Sequence, residues 1–114
     1  MLFVKEEISL DELKKKSEKM YENLVKAVVD ISREVMVVDA EFHSDEEELL
    51  LEDGSKQENI WGINLYPNNI ENEKWIEFDS MINIRPYANN RSRHVEDSKI
   101  RDRITAIVNK LVKK

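Results

Sequence analysis

The sequence predicts an α+β protein: a two-layer sandwich of a mostly antiparallel sheet, with two long amphipathic helices on one face and a short third helix. Three observations carry this expectation. Residues 60–86 read as two strands joined by a polar connection. The second strand alternates, with Ile76, Phe78, Ile82 and Ile84 on one side and Glu77, Asp79, Asn83 and Arg85 on the other. Alternation with period 2 marks a sheet packed on one face and wetted on the other. Apolar residues at helical spacing recur over about residues 10–23 and 97–112. The order β-α-β-β-α-β-β-α joins strands through hairpins, which argues against a doubly wound parallel sheet.

Each element has its own warrant. Leu2, Phe3 and Val4 form a short apolar run suited to an edge strand. Ser9 is placed to cap the first helix, with Glu12 three residues on completing a capping box and Ile8 able to staple onto Leu13. Leu10, Leu13, Met20 and Leu24 make its narrow stripe, and Asp11 and Glu12 lie in the first turn, where the helix dipole favours acid. Residues 24–31 are ambiguous between helix and strand, and the β-branched Val25, Val28, Val29 and Ile31 favour a strand. Ser32, Arg33 and Glu34 then turn the chain into a second strand over residues 35–43. Met36, Val38, Ala40 and Phe42 line one face of it; Val35, Val37, Asp39, Glu41 and His43 line the other.

Ser44 to Glu47 read as another capping box, opening a helix that Gly54 closes at the C′ position. Gly62, inside an apolar strand, implies a bulge or a close backbone approach. Pro86 ends the last strand, and residues 87–96 form a loop of basic and amide side chains. Asp97 caps the final helix, whose stripe is Ile100, Ile104, Ile107 and Leu111.

The length of 114 residues suits one domain. Cysteine is absent, which excludes disulfides and thiolate metal sites and fits a cytoplasmic protein. The first residues lack the pattern of a secretory signal, and no apolar run approaches the ~18 residues of a membrane span. The net charge of −6 divides unevenly: residues 85–114 hold nine basic and three acidic side chains, while residues 34–53 hold nine carboxylates and no lysine or arginine. An acidic body with a basic end points to internal or inter-subunit complementarity, hence a homodimer, rather than to nucleic acid.

Two clusters suggest chemistry. Asp39, Glu41 and His43 share one face of the expected second strand at spacings of about 7 Å, and Glu77 and Asp79 would join them if that strand pairs with the alternating one. Carboxylates with an imidazole suit a divalent cation such as Mg²⁺, Mn²⁺ or Zn²⁺. The plainer reading is a solvated face, since alternation is the ordinary mark of a one-sided sheet. Arg85, Arg91 and Arg93, with Ser92 and nearby backbone amides, suit a phosphate or carboxylate, unless the arginines pair with the chain's own acidic half. The acidic run at 45–48 lacks the spacing of a calcium loop. Trp61, Trp75, Tyr66 and Tyr87 offer either an aromatic platform or packing. No glycine-rich phosphate loop, nucleophile elbow or C-x-x-C is present, and the only histidines are His43 and His94.

The segments His43-Ser44-Asp45-Glu46-Glu47, Gly54-Ser55-Lys56-Gln57, Ile60-Trp61-Gly62-Ile63-Asn64-Leu65-Tyr66-Pro67, Ser80-Met81-Ile82-Asn83-Ile84-Arg85-Pro86 and Asn90-Arg91-Ser92 carry a resemblance across nearly the whole chain. It resembles a family of small archaeal and bacterial proteins of unknown function. The resemblance implies a prokaryotic, stand-alone domain and brings no activity and no site residues. The residues favour a non-enzymatic binding or regulatory protein with no resident cofactor, acting on an unidentified protein or small molecule. The alternative is a metal-assisted hydrolase or nuclease, with carboxylates holding the cation and Arg85 or Arg91 taking a substrate phosphate. A third reading is regulation of a partner through the basic end.

Overall fold

The computed structural model describes residues 1–20, 23–72 and 74–114. Its centre is β3 (Val25–Asp30), flanked antiparallel by β4 (Val35–Val38) and β5 (Ile60–Leu65). β1 (Leu2–Val4) adds outside β4, and β6 (Ile76–Glu77) adds outside β5. The result is an α+β fold with a five-stranded antiparallel sheet, order β1-β4-β3-β5-β6, and three helices. The helices are α1 (Leu10–Glu18), α2 (His43–Glu52) and α3 (Ser98–Leu111). A short parallel pair that the sequence did not signal, β2 (Ile8–Ser9) with β7 (Val112–Lys113), ties the start of α1 to the end of α3.

The central strands are apolar at nearly every position, as strands covered on both faces are. Val25, Ala27, Val29, Met36, Val38, Trp61, Ile63 and Leu65 pack with Leu13 of α1 and with Ile104, Ile107, Val108 and Leu111 of α3. The alternate positions Val28, Val35, Val37 and Ile60 pack with Leu50 of α2. Helices therefore cover both faces of the sheet, which corrects the two-layer expectation. Only α3, at 14 residues, is long; α1 has 9 and α2 has 10.

Caps explain where the helices begin and end. Ser9 Oγ accepts from Glu12 N at 3.1 Å, and Asp97 Oδ1 accepts from Lys99 N at 2.9 Å. Gly54 takes φ +102°, a value that suits glycine, and the last turn of α2 closes through Ser55 N to Leu50 O at 2.9 Å and Gly54 N to Leu51 O at 3.2 Å. The helix expected over 10–23 stops at Glu18; its positions 21 and 22 lie outside the described residues. Phe42, not Ser44, is the N-cap of α2, and no described side chain caps it.

Two strand expectations fail for stated reasons. β4 ends at Val38 because Asp39 adopts φ 70°, the left-handed region that breaks a strand. The expected strand over 76–85 ladders only at Ile76 and Glu77. Beyond it, Ser80 Oγ accepts from Ile82 N at 3.3 Å and opens a turn of 3-10 helix, Met81–Asn83. Side chains then complete the edge of β5 in place of backbone. Asn83 Oδ1 accepts from Gly62 N at 2.8 Å and its Nδ2 donates to Gly62 O at 2.9 Å; Arg85 Nη2 donates to Ile60 O. Ser80 comes so close that a Cβ on Gly62 would lie 2.6 Å from Ser80 Cβ, which is the reason for glycine there. The alternating set is thus divided: Ile76 and Phe78 join the α1/α3 core, Ile82 packs on the α2 side, and Ile84 is exposed.

Trp61 and Trp75 are buried in the α1/α3 core and form no platform. Arg103 and Lys110 pair with Glu34 at 3.3 and 3.0 Å. Part of the charge complementarity behind the homodimer expectation is therefore satisfied within one subunit. Among the described residues no helix is long and apolar enough to cross a membrane.

Candidate functional site

α2 covers only part of its face of the sheet. Val28 and Ile60 lie under it, while farther along the same face the register aligns Lys26 of β3, Asn64 of β5 and Glu77 of β6 in one row. Neighbouring strands run about 4.8 Å apart, so Lys26 and Glu77 are about 10 Å apart at Cα. This row floors an open cleft of about 440 Å³. Phe42, His43 and Ser44 at the start of α2 wall one side of it, and Asp79 to Ile82 after β6, with Arg93, wall the other.

Hydrogen bonds fix most of these groups. His43 Nε2 lies 2.8 Å from Ile63 O; a carbonyl only accepts, so Nε2 carries the hydrogen and Nδ1 is left as an acceptor. Burial holds the imidazole below its usual 6.5, so it is neutral at pH 7. Glu77 Oε1 accepts from Asn64 Nδ2 at 2.8 Å and from Tyr66 OH at 3.3 Å. Asn64 Nδ2 also donates to Asp79 O at 3.2 Å. Both neighbours are acceptors, so the amide cannot be turned over, and its Oδ1 is left buried with no partner among the described residues. Arg93 grips Asp79 through Nε to Oδ1 at 2.7 Å and Nη2 to Oδ2 at 3.2 Å. Lys26 Nζ donates to Glu41 O at 2.7 Å and sits 5.6 Å from the Phe42 ring centroid, with no described carboxylate as partner.

The expected metal set is not assembled. His43, Glu77 and Asp79 border this cleft, while Asp39 and Glu41 border a second one beside Asp45 and Glu48. The turn at Asp39 causes the separation, and Asp39 Oδ2 pairs with Lys16 at 3.1 Å instead. No three histidine, aspartate or glutamate side chains among the described residues are placed to hold a metal ion.

The expected anion set is dispersed as well. Arg85 is 2% exposed, lies 4.5 Å from the Trp61 ring centroid, and donates to the carbonyls of Ile82, Gln57 and Ile60. The amides beside Arg91 already hold an anion of their own. Glu96 Oε2 accepts from Arg91 N at 2.7 Å, Ser92 N at 2.9 Å and Ser92 Oγ at 2.9 Å. The Ser92 hydroxyl first, then these amides, hold the Glu96 carboxyl below its usual range. Only Arg93 of the three arginines reaches the cleft.

Lys26 and Asn64 escaped the sequence reading. Their signal was there: Asn64 is the one polar side chain of β5, and Lys26 interrupts the apolar run 25–29 of β3. A family model described as a protein of unknown function (DUF5674) matches residues 2–111. The chain belongs to this family. The DUF5674 match spans the whole sheet as far as β6, all three helices and every residue of the cleft. No curated protein and no solved structure matches the chain.

Proposed function

We propose that this DUF5674 protein is a binding module for a small polar ligand, held in the cleft over Lys26, Asn64 and Glu77. The observation that carries this is the polar row itself: in the floor of the cleft, on a mostly apolar sheet, Lys26, Asn64 and Glu77 stand side by side, with the Asn64 amide fixed by Glu77 and Asp79 and with Lys26 lacking a carboxylate partner among the described residues. A volume of about 440 Å³ falls in the range of small-molecule sites. The hydrolase or nuclease reading has no comparable support, because its five ligands divide between two clefts.

A thermal-shift panel of amino acids, nucleosides, dicarboxylic acids and sugar phosphates tests the proposal, with Asn64→Leu as comparison. A ligand that binds only the folded state stabilises it by RT ln(1 + [L]/Kd), about 2.7 kcal/mol at a hundredfold excess over Kd. At least one class should raise the wild-type midpoint, leave the variant at its own baseline, and shift the Asn64 side-chain amide signals in a ¹⁵N spectrum. Shifts shared equally by the variant, or no shift from any class, would overturn it.

A further inference from the structure

We infer that the ligand of this cleft is a zwitterion of the α-amino-acid type, its carboxylate between Lys26 and the start of α2, its ammonium at Glu77, and an apolar side chain between Phe42 and Met81. The inference rests on the cleft reading above and narrows it to a chemical class.

Charge balance selects the class. Asp79 and Arg93 neutralise each other as a two-bond pair. Lys26 and Glu77 are the charged groups of the cleft with no ion pair among the described residues, one basic and one acidic. A phosphate dianion would meet one unpaired cation and the Glu77 carboxylate together. A simple amine would leave Lys26 uncompensated. A ligand with one charge of each sign satisfies both.

Lys26 and Glu77 stand on the same face two strands apart, with Asn64 between them. Their Cα atoms are about 10 Å apart, so a ligand lying over Asn64 is flanked by one basic and one acidic side chain.

The remaining contacts have matching polarity. α2 is a ten-residue helix whose N-cap Phe42 makes no side-chain cap; Asp45 N donates back to Phe42 O at 3.2 Å, and His43 and Ser44 bring the positive end of the helix dipole to the cleft. The first turn of α2 carries Asp45 and Glu46: Asp45 borders the second cleft and offsets part of that field, while Glu46 is buried with its carboxyl pushed up to about 10 by desolvation and adds no negative charge at neutral pH. Asn64 Nδ2 donates to Glu77 Oε1 at 2.8 Å and holds that carboxylate in place for an ammonium. Phe42 is 56% and Met81 65% exposed, and both border this one cleft. Single exposed apolar residues are ordinary, but two on the same small cleft supply a seat for an apolar side chain.

Calorimetry and ¹⁵N spectra with L-phenylalanine, L-leucine and L-methionine test this, alongside L-phenylalaninamide, which lacks the carboxylate, and N-acetyl-L-phenylalanine, which lacks the ammonium. The wild type should bind at least one free amino acid at millimolar concentration or better. Each phenylalanine analogue should bind about tenfold or more weakly than L-phenylalanine. Lys26→Met should bind L-phenylalanine no better than its amide, and Glu77→Gln should bind it no better than the N-acetyl form. Analogues that bind as well as the amino acid, or variants that keep full discrimination, would overturn the inference. If no amino acid binds while another compound binds in an Asn64-dependent way, the ligand class falls and the cleft reading stands. If nothing binds in an Asn64-dependent way, both fall.

Discussion

The two faces of the sheet are built to different rules. Toward α1 and α3 the buried side chains are aliphatic or aromatic almost throughout, from Val4 and Leu13 to Trp61 and Leu111. Toward α2 the buried apolar cluster among the described residues is smaller, Val28, Val35, Val37, Leu50 and Ile60, with Phe3, Leu49 and Ile82 partly buried against it. Around it sit the buried polar groups Asp30, Glu46, Asn64, Asn83 and Arg85. The first face is dry and non-directional, so it contributes stability in proportion to area. The second holds its parts by directed hydrogen bonds, which fix positions and leave specific gaps where no partner is present. The cleft lies on that second face, beside the row that α2 does not reach.

The largest loss of stability comes from the dry face. Ile104→Ala, at a side chain with no exposure, should lower unfolding free energy by about 2–5 kcal/mol in denaturant titration. The ¹⁵N signals of Lys26, Asn64 and Glu77 should stay in place. A loss below 1 kcal/mol, or a rearranged cleft, would break the separation of the two faces.

Asn83→Ala attacks the polar face at its most connected group. It strips the partners from Gly62 N, Gly62 O and Arg93 O. Water reaches some of these once the side chain is gone, so the expected loss is about 3 kcal/mol, within the range for orphaned buried groups. Hydrogen exchange at the Gly62 amide should accelerate far more than at core amides of β3. Equal acceleration everywhere would mean that Asn83 acts only through global stability.

Glu46→Gln should have the smallest effect, and of opposite sign. The carboxyl is buried, and Oε2 accepts from Ala40 N at 3.0 Å. Burial pushes its pKa from 4.5 to about 10, so between those values the folded chain binds more protons than the unfolded one. Stability from this group is therefore greatest below pH 4.5 and declines as pH rises toward 10. At pH 7 the cost is about 3 kcal/mol by linkage. Glutamine removes that cost but leaves one buried amide N–H group to satisfy, about 1–3 kcal/mol, for a net gain of about 1 kcal/mol. Denaturant titrations from pH 5 to 8 should show a falling wild-type stability and a flatter variant. Parallel curves would mean that Glu46 ionises freely in the fold.

The sequence was most informative where structure is decided by near neighbours. Ser9, Asp97 and Gly54 act as the caps that their positions announce, and the β-branched run of β3 is a strand. These are one-turn or one-strand effects, governed by groups a few residues apart. Gly62 signalled a close approach, and Ser80 supplies it. The α+β class followed from the same periodicities.

What only the tertiary structure decided lies at residues whose partners are distant in sequence. Period 2 in residues 76–85 is real, but Asn83 reaches 21 residues back to complete the Gly62 ladder with its side chain, so the backbone need not continue as a strand. Asp39 turns out of β4 and pairs with Lys16, 23 residues earlier, which parts it from His43. Arg85 satisfies carbonyls 25 and 28 residues away and leaves the expected anion site. Lys26, Asn64 and Glu77 become one row only through the register of three strands. Local pattern specifies elements because capping and pleating are short-range. It does not specify which polar groups meet, because that depends on register and on side chains that substitute for backbone.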